Sequence, residues 1–480
     1  MTDQEFDRFL MTSPNLLVAP AGYGKTHTIA KAVNTLREKG VTKILVLTHT
    51  NAGISSIKEK FKKEAVREKG VTICTIAGFL QKIVKGLSKV KIEQDNDSNS
   101  FYNTLYECAL ELFKQNKILR MVVENSYEHI FIDEFQDCNR PQYEIVEVLC
   151  KWKIGIHMLL DPLQTIFGFD ANHPDYIAFE NRCRAARPDR VFKLDIPYRW
   201  RIVNSPLENY VSQWRSVILD AISNGLQSID LSKLPGVTYH NGTYAEASRQ
   251  LNSLLYSTND VLVLHSYYQA NNEKARGHIC SNTGYKLRVI ESVDQDDFYN
   301  IAAKIDLSIQ NSIPTVETLY DILVESGVST TNLDKWIKGG RLVRKQSPTD
   351  IGLSSKLFDA INQKDSKQAL ADAICVLTKE IKLKVPRVEL LAELLSAISS
   401  ANISGRTVLE EMTRKRNISR VQGRRLYGKV IGTTLLTKGL EADSVVLLKP
   451  SDLFKNKDGL KHLYVALTRA INQVYLLDYS

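Results

Sequence analysis

Several short stretches of the chain carry side chains suited to phosphoryl chemistry. The run Leu16-Leu17-Val18-Ala19-Pro20-Ala21-Gly22-Tyr23-Gly24-Lys25-Thr26-His27 reads as an apolar strand breaking into a glycine-bearing turn and then a helix. Successive backbone N–H groups in such a turn, with the positive end of the following helix, form a concavity for polyphosphate. From it Lys25 would reach the β- and γ-phosphates and Thr26 would ligate Mg²⁺. Ala19 stands where the general pattern has its first Gly, and Gly-Lys-Thr alone is a weak signal that chance can supply. The flanks argue against chance: Leu16 to Val18 are apolar as in a buried parallel strand, and Ile29, Ala32, Val33 and Leu36 recur at helical spacing.

Asp133-Glu134 follow the apolar run His129-Ile130-Phe131-Ile132 and supply what phosphoryl transfer to water needs. Asp133 would hold Mg²⁺ through its water shell, and Glu134 would orient and deprotonate the attacking water. The bland alternative is a pair of solvated carboxylates at a strand end. Arg199 and Arg469 are candidates to neutralise γ-phosphate charge from a second domain, which would make hydrolysis depend on closure of a cleft. Either could equally be one half of a surface ion pair.

The elements that must position these groups form a strand-to-helix series. Lys43 to Leu47 is a second strand opening into Thr48-His49-Thr50-Asn51, with a charged helix expected over 58–69. Ile156 to Leu160 leads into Asp161-Pro162-Leu163-Gln164, so several apolar strands deliver polar residues at their C-terminal ends, the edge where open α/β sheets bind ligands. Residues 80–128 read as helices around a polar loop at Asp95 to Ser100. A second sheet is expected to begin near Val191, with strands at 260–264, 444–448 and 473–477. Between about 290 and 428 the pattern is helical, which predicts an all-α insertion.

With 480 residues, 43% hydrophobic and 24% charged, the composition is that of an ordinary globular protein of several domains. A formal net charge of +9 fits an anionic partner such as nucleic acid, though a surplus this modest carries little weight alone. Seven cysteines without a C-x-x-C pair point to reduced, mostly buried thiols rather than a disulfide framework or zinc knuckle. The polar start Met1-Thr2-Asp3-Gln4-Glu5 and the lack of a long apolar run give no support to a signal peptide or membrane span. The cytoplasm is the expected location.

Taken in order, these stretches resemble the motifs of UvrD/PcrA-type superfamily 1 helicases, from residue 4 to residue 470. Gln4 resembles the adenine-reading Q motif, and Ala19 to Thr26 motif I. Thr48-His49-Thr50-Asn51 resembles motif Ia and Thr75 to Phe79, loosely, motif Ib. Asp133 to Asp137 resembles motif II. Asp161 to Phe169 resembles motif III, in which Gln164 would sense the γ-phosphate. Pro197-Tyr198-Arg199 resembles motif IV, implying Tyr198 stacked on the base and Arg199 as a first arginine finger. Thr437-Lys438-Gly439-Leu440-Glu441 resembles motif V, with Glu441 at the ribose and Gly439 beside it. Tyr464 to Ala470 resembles motif VI, with Arg469 as the second finger.

The resemblance implies an α/β architecture of two RecA-like P-loop domains, parallel sheets flanked by helices, with two mostly helical insertions. The expected bounds are 1–79 and 129–190 for the first RecA-like domain and 80–128 for its insertion. The second domain would take 191–290 and 429–480, and its insertion 291–428. ATP, or another NTP or dNTP, with Mg²⁺ would occupy the cleft and single-stranded DNA would cross the top.

The departures from the family fall on the DNA side. His49 stands for a strand-contacting Phe, Asp170 for an Arg and Leu435 for a His. An Asp for an Arg on a phosphate path weakens binding by repulsion. Thr50, Asn51 and Thr75 remain as candidate DNA contacts. Phe167 and Phe169 are candidate stacking platforms, each base–aromatic stack being worth roughly 1–3 kcal/mol, with ordinary core packing as the competing reading. Arg414, Arg416 and Arg420 recur near helical spacing and could track phosphates, although most such runs are solvated faces. ATP hydrolysis is therefore expected before processive unwinding.

The short insertions and eroded strand contacts also resemble the helicase-like subunit of Gabija anti-phage systems. That resemblance implies a hetero-oligomer with an OLD-family nuclease bearing a Toprim domain, DNA single strands or duplex ends as target, and no membrane. Two further readings stay open: a DNA-sensing hydrolase that depletes (d)NTPs without unwinding, and a structural subunit gated by nucleotide.

Overall fold

The computed structural model describes residues 1–88, 99–166, 173–265, 273–284, 286–290, 296–313, 315–363, 366–422 and 428–479. It has the expected α/β class and divides into two units, the first mainly Met1–Val237 with Leu453–Gln473, the second mainly Thr238–Arg420 with Arg424–Asp452.

The first unit begins with α1 (Asp3–Met11), β1 (Asn15–Val18), α2 (Lys25–Glu38), β2 (Ile44–Thr48), α3 (Asn51–Lys63) and β3 (Val71–Thr75). Then come α4 (Ile76–Leu87), α5 (Asn99–Gln115), α6 (Lys117–Ser126), β4 (His129–Ile132), α7 (Arg140–Leu149) and β5 (Gly155–Leu160). It continues through α8 (Tyr176–Ala186), β6 (Val191–Lys193), α9 (Tyr198–Ile202) and α10 (Glu208–Ser223). Its six strands run in the order β3-β2-β4-β5-β1-β6, and every neighbouring pair is parallel. The C-termini of β1, β2, β4 and β5 therefore share one edge, which carries the phosphate-loop sequence, Thr48, Asp133 and Asp161. Leu16, Leu17, Val18 and Ile44 to Leu47 are buried, as strands covered on both faces must be. On α2, Ile29, Ala32, Val33 and Leu36 are the buried stripe that the spacing predicts.

Several expectations meet the structure here. The strand at Val191 pairs with β1 in this first sheet, because Leu16 to Val18 register against Val191 to Lys193. The 80–128 stretch is helical, but Leu80, Val84, Leu105, Phe113 and Leu119 join the same core cluster as Leu45, Ile130 and Ile156. At about 1.5–3 kcal/mol for each large apolar side chain taken from water, that burial binds the helices to the sheet rather than leaving them as a separate lobe. The expected loop at Asp95 to Ser100 lies mostly outside the described residues, with Asn99 and Ser100 already opening α5. The charged helix expected over 58–69 is α3, which starts at Asn51 because the Thr50 side chain caps it.

The second unit opens with β7 (Thr238–Gly242), α11 (Tyr244–Ser257), β8 (Val261–His265), α12 (Glu273–Asn282) and β9 (Arg288–Val289). A helical segment follows: α13 (Asp296–Gln310), α14 (Thr315–Glu325), α15 (Thr330–Leu333), β10 (Ile337–Lys338), β11 (Arg341–Leu342), α16 (Pro348–Ile361), α17 (Ser366–Cys375), α18 (Val388–Ser404) and α19 (Val408–Gln422). The chain ends with β12 (Lys429–Gly432), β13 (Ala442–Leu448), α20 (Gly459–Leu467) and β14 (Ala470–Tyr479). The second sheet has the order β7-β14-β13-β8-β12-β9, with β8 parallel to both β12 and β13. The helical segment has its own core, with Phe298, Leu319, Leu377, Leu394 and Met412 in one cluster. It is not all-α as expected, since β10 and β11 form an antiparallel hairpin within it. The described residues contain no helix long and apolar enough to cross a membrane. The cysteines are free, Cys138 and Cys280 buried and the others half-buried.

Candidate nucleotide site

The turn between β1 and α2 is shaped by what packs on it. Gly22 has φ +73°, and a Cβ there would meet the Trp200 ring at 2.6 Å, so only glycine fits both the left-handed backbone and the contact. The Arg199 backbone N–H donates to Gly22 O at 3.0 Å. Tyr198 is exposed and its ring lies 3.4 Å from the place a Gly24 Cβ would take, beside the loop on which a base could rest. Gly24 is the N-cap of α2 and no side chain caps it, so the first turn's N–H groups are left for a ligand, as the positive helix end favours for anions.

Lys25 is buried, with Nζ 3.2 Å from Glu134 Oε2 but without a hydrogen bond of good geometry. Burial alone would lower its pKa, but Glu134, Asp161 and Asp133 around it raise it, so it is held as an ammonium. Thr26 is half-buried at the start of the helix and His27 is exposed, its Nδ1 2.6 Å from Glu64 Oε1 and turned away from the loop's role. Asp133 is buried, and that burial, with the neighbouring Glu134 charge, raises its carboxyl to about 7. Glu134 sits at φ +51°, a left-handed conformation that costs a non-glycine residue and is common where a side chain is aimed for chemistry. Its Oε2 accepts a hydrogen bond from Gln136 Nε2.

Asp161 is the hub behind this edge. Fully buried, it accepts from Ala21 N at 3.1 Å, Gln164 Nε2 at 3.0 Å, Arg215 Nη1 at 2.5 Å and Tyr464 OH at 3.0 Å. Burial would raise its pKa, but Arg215, Lys25 and these hydrogen bonds hold it below the usual carboxylate range. Its own N–H donates to Gln136 Oε1 at 3.0 Å. One amide side chain thus ties Asp161 to Glu134.

Arg199 and Arg469 were expected from a second domain, yet both belong to the first unit. Trp200 is fully buried and donates Nε1–H to Ala470 O at 2.8 Å, and Ser205 Oγ donates to Ile471 O at 2.5 Å, which fastens 453–473 to this unit. Arg199 Nη1 donates to Thr468 O at 2.6 Å. Arg469, buried, donates Nε–H to Val465 O at 3.1 Å and Nη2–H to Gln164 Oε1 at 3.4 Å. The structure therefore brings Ala21 to Thr26, Asp133, Glu134, Gln164, Tyr198, Arg199 and Arg469 to one unit.

Other expected residues lie elsewhere. Gln4 is exposed on α1, and Gly439 and Glu441, both exposed, belong to the second unit. The Thr50 and Thr75 hydroxyls cap α3 and α4, each accepting a backbone N–H at 3.0 Å, and Asn51 opens α3. Arg416 is corrected outright: it is fully buried, 2.9 Å from Glu393 Oε2 and 3.8 Å from the Phe298 ring centre, so it is packed inside the helical segment and cannot track phosphates. Arg414 is exposed but paired with Glu411 at 2.8 Å. Phe167, Phe169 and the Arg420 side chain lie outside the described residues. Gln136, Asp161 and Tyr464 lie in stretches matched to motifs II, III and VI but receive no role of their own from sequence, and Arg215, which pairs with Asp161, lies in none of the matched stretches.

In sequence, residues 2–100 and 89–183 match the UvrD/REP helicase N-terminal domain. The chain is similar to UvrD-like superfamily 1 helicases. It is 28% identical over 129 residues to the "Exonuclease/helicase subunit RexA" of Lactococcus lactis subsp. cremoris (strain MG1363), covering 26% of this chain and 11% of that protein. It is 34% identical over 88 residues to the "RecBCD enzyme subunit RecB" of Buchnera aphidicola subsp. Schizaphis graminum, 18% of this chain and 8% of that one. A "Probable DNA helicase II homolog" of Mycoplasma capricolum subsp. capricolum is 21% identical over 247 residues, 48% of this chain and 34% of that protein. The matched segments thus span about a tenth of the first relatives' length. The UvrD-like stretch contains Lys25, Thr26, Asp133, Glu134 and Gln164, while Tyr198, Arg199, Gly439, Glu441 and Arg469 lie beyond it.

Proposed function

We propose that the chain is a Mg²⁺-dependent NTPase of the superfamily 1 helicase class that hydrolyses ATP and acts on DNA. The observation that carries this is the buried Lys25 ammonium 3.2 Å from Glu134, with Asp133 alongside, at the edge where the phosphate loop ends. Lys25 and Glu134 neutralise one another in this arrangement. A triphosphate in the loop offers Lys25 a stronger partner, and Glu134, still held by Gln136, is then free to take a proton from a water.

Thr26 and Asp133 are hard oxygen donors suited to Mg²⁺, which keeps several waters and needs few protein ligands. When bound, the ion would neutralise charge building on the β- and γ-oxygens. Gln164 is held between Asp161 and Arg469, so a contact from Gln164 to the terminal phosphate would be felt at both. The Arg199 guanidinium reaches the Thr468 carbonyl next to Arg469, and the two would complement the charge of the transferring group.

The finer reading is a member of an anti-phage complex of the Gabija kind, working in the cytoplasm with an OLD-family nuclease on single strands or duplex ends. Its support is the resemblance of the sequence, together with relatives whose names pair a helicase with a nuclease. The test is steady-state hydrolysis of a panel of ribo- and deoxynucleoside triphosphates, with and without single-stranded and blunt duplex DNA, using Lys25→Ala as blank and Glu134→Gln as a variant that binds ATP without turnover. ATP preference and strong single-strand stimulation support the helicase-class reading. Loose nucleotide choice with stimulation only by duplex ends would favour the nucleotide-depleting sensor, and nucleotide binding with background turnover under every condition the gated structural role. Full activity in Glu134→Gln would sink the mechanism.

A further inference from the structure

The hairpin of β10 and β11 is built in a way that stability does not explain. Its strands register Ile337 against Leu342 and Lys338 against Arg341, so two cations stand directly opposite each other beside the turn. Like charges in that relation destabilise a pair of strands, and a two-stranded ribbon is marginal to begin with. The turn between them is Gly339-Gly340, with φ +56° and +70°, the geometry of a tight type I′ hairpin. Ile337 is fully buried and Trp336 nearly so, so the base of the hairpin is anchored in the helical segment's core. Lys338, Arg341 and Arg344 are exposed, and among the described residues none of these three side chains has an ion pair or a hydrogen-bonded partner.

The charge is also local. Lys335, Lys338, Arg341, Arg344 and Lys345 fall in one stretch, and no Asp or Glu occurs from 335 to 349. Lys345 lies over the Trp336 ring at 4.0 Å and Lys335 reaches Asn332 Oδ1 at 3.0 Å. Glu317 of α14 approaches Gly340, its Oε1 3.0 Å from where a Cβ would stand, and it pairs with none of the cations. We propose that this hairpin tip binds the phosphate backbone of a nucleic acid strand, as a contact separate from the nucleotide site.

Three features select a polyphosphate backbone over other anionic partners. Lys335 and Arg344, each three residues along the chain from Lys338 and Arg341 respectively, add to the local positive charge that a polyanion would meet. Gly339 has no side chain and nothing within 4 Å of where a Cβ would stand, so its backbone N–H can approach a phosphate oxygen, while the Glu317 carboxylate occupies the Gly340 side of the tip. The tip presents Lys, Gly, Gly and Arg with no exposed apolar side chain to enter a lipid surface. The proposal rests on the DNA-acting reading above for its choice of polyanion and is tested apart from it.

The experiment is fluorescence anisotropy of the full chain with a labelled single-stranded 30-mer and its duplex across a salt series. Lys338→Ala/Arg341→Ala is the test variant, and Lys233→Ala/Lys356→Ala, two exposed cations paired with Asp230 and Glu380, is the control for the same change of net charge. Two lost phosphate contacts should lower the slope of log K against log salt by about 1.4 on single strands or about 1.8 on duplex, equally for unrelated sequences. The thermal midpoint should not fall, because repulsion is removed, and Lys338→Arg/Arg341→Lys should bind as the native chain does. An unchanged slope in the double alanine variant overturns the proposal, as does a lost slope that the charge-keeping variant shares. Hairpin-dependent binding without any NTP turnover would leave this surface standing and remove the NTPase reading. DNA-stimulated turnover with hairpin-independent binding would do the reverse.

Discussion

Replacing Gln136 by Leu should slow turnover by about 100-fold while leaving nucleotide binding nearly intact. Gln136 is fully buried, donates through Nε2 to Glu134 Oε2 and accepts through Oε1 from Asp161 N at 3.0 Å. Leu fills similar space and does neither. Glu134 then loses the partner that fixes its carboxylate once Lys25 turns to phosphate. A general base contributes about 10²–10⁴-fold, and a misplacement of ~1 Å costs ~10²-fold, so the loss should be near 100-fold, or about 2.7 kcal/mol of barrier. The stranded Asp161 N–H adds about 1–3 kcal/mol of lost folding stability, seen as a lower thermal midpoint. The loop from Ala21 to Thr26 is untouched, so KM for ATP should move less than about threefold. The assay is kcat and KM for ATP with Mg²⁺, at a temperature well below the variant's midpoint. A kcat within threefold of the native chain, or a large rise in KM at constant kcat, would refute the assignment of Gln136 as the residue that positions the base.

Arg469→Ala should reduce ATP turnover by something like 10³-fold if its guanidinium meets transition-state charge, whereas an effect below about tenfold would return it to a structural role behind Gln164. Arg416→Met should lower the thermal midpoint and leave the salt dependence of DNA binding unchanged, because its charge is spent on Glu393 and the Phe298 ring; a loss of about 2 kcal/mol is expected, since both paired carboxylates keep some water. Stability should fall as pH drops below about 6.5, the unfolded value for His. His157 is fully buried, and burial with the adjacent His129 holds its pKa well below that value, so the folded chain stays neutral there while the unfolded chain takes up a proton. Asn15 donates both amide hydrogens to Phe9 O and Thr12 O, leaving Oδ1 to accept from His157 Nδ1–H and His157 Nε2 to accept from His129, with no room for a second proton. His157→Gln should flatten the decline between pH 6.5 and 5.5 by up to ~1.4 kcal/mol per unit, read from thermal midpoints; an unaltered slope would show that other groups carry it.

What could be read from sequence, and what could not, follows from the range of the forces involved. The phosphate loop, the strand-end carboxylates and the buried stripe of α2 are local: each needs only neighbours in the chain, and each lies where the pattern puts it. Arg416 shows the opposite case. Spacing places Arg414, Arg416 and Arg420 on a helix but does not say which side faces Phe298, more than a hundred residues earlier, so a buried ion pair and a solvated cation look alike in one dimension. The same limit hid Arg215, whose partner Asp161 is 54 positions away, and it reassigned Val191, whose short strand has a pattern that fits either sheet. The hairpin is different, because Gly339-Gly340 was a legible turn signal that the surrounding helical periodicity outweighed. Arg215 also explains what holds this edge together. Burial pushes the Asp161 carboxyl up, and the Arg215 guanidinium at 2.5 Å, with Lys25, outweighs that, which lets one carboxylate hold Ala21 of the loop, Gln164 and Tyr464 in register.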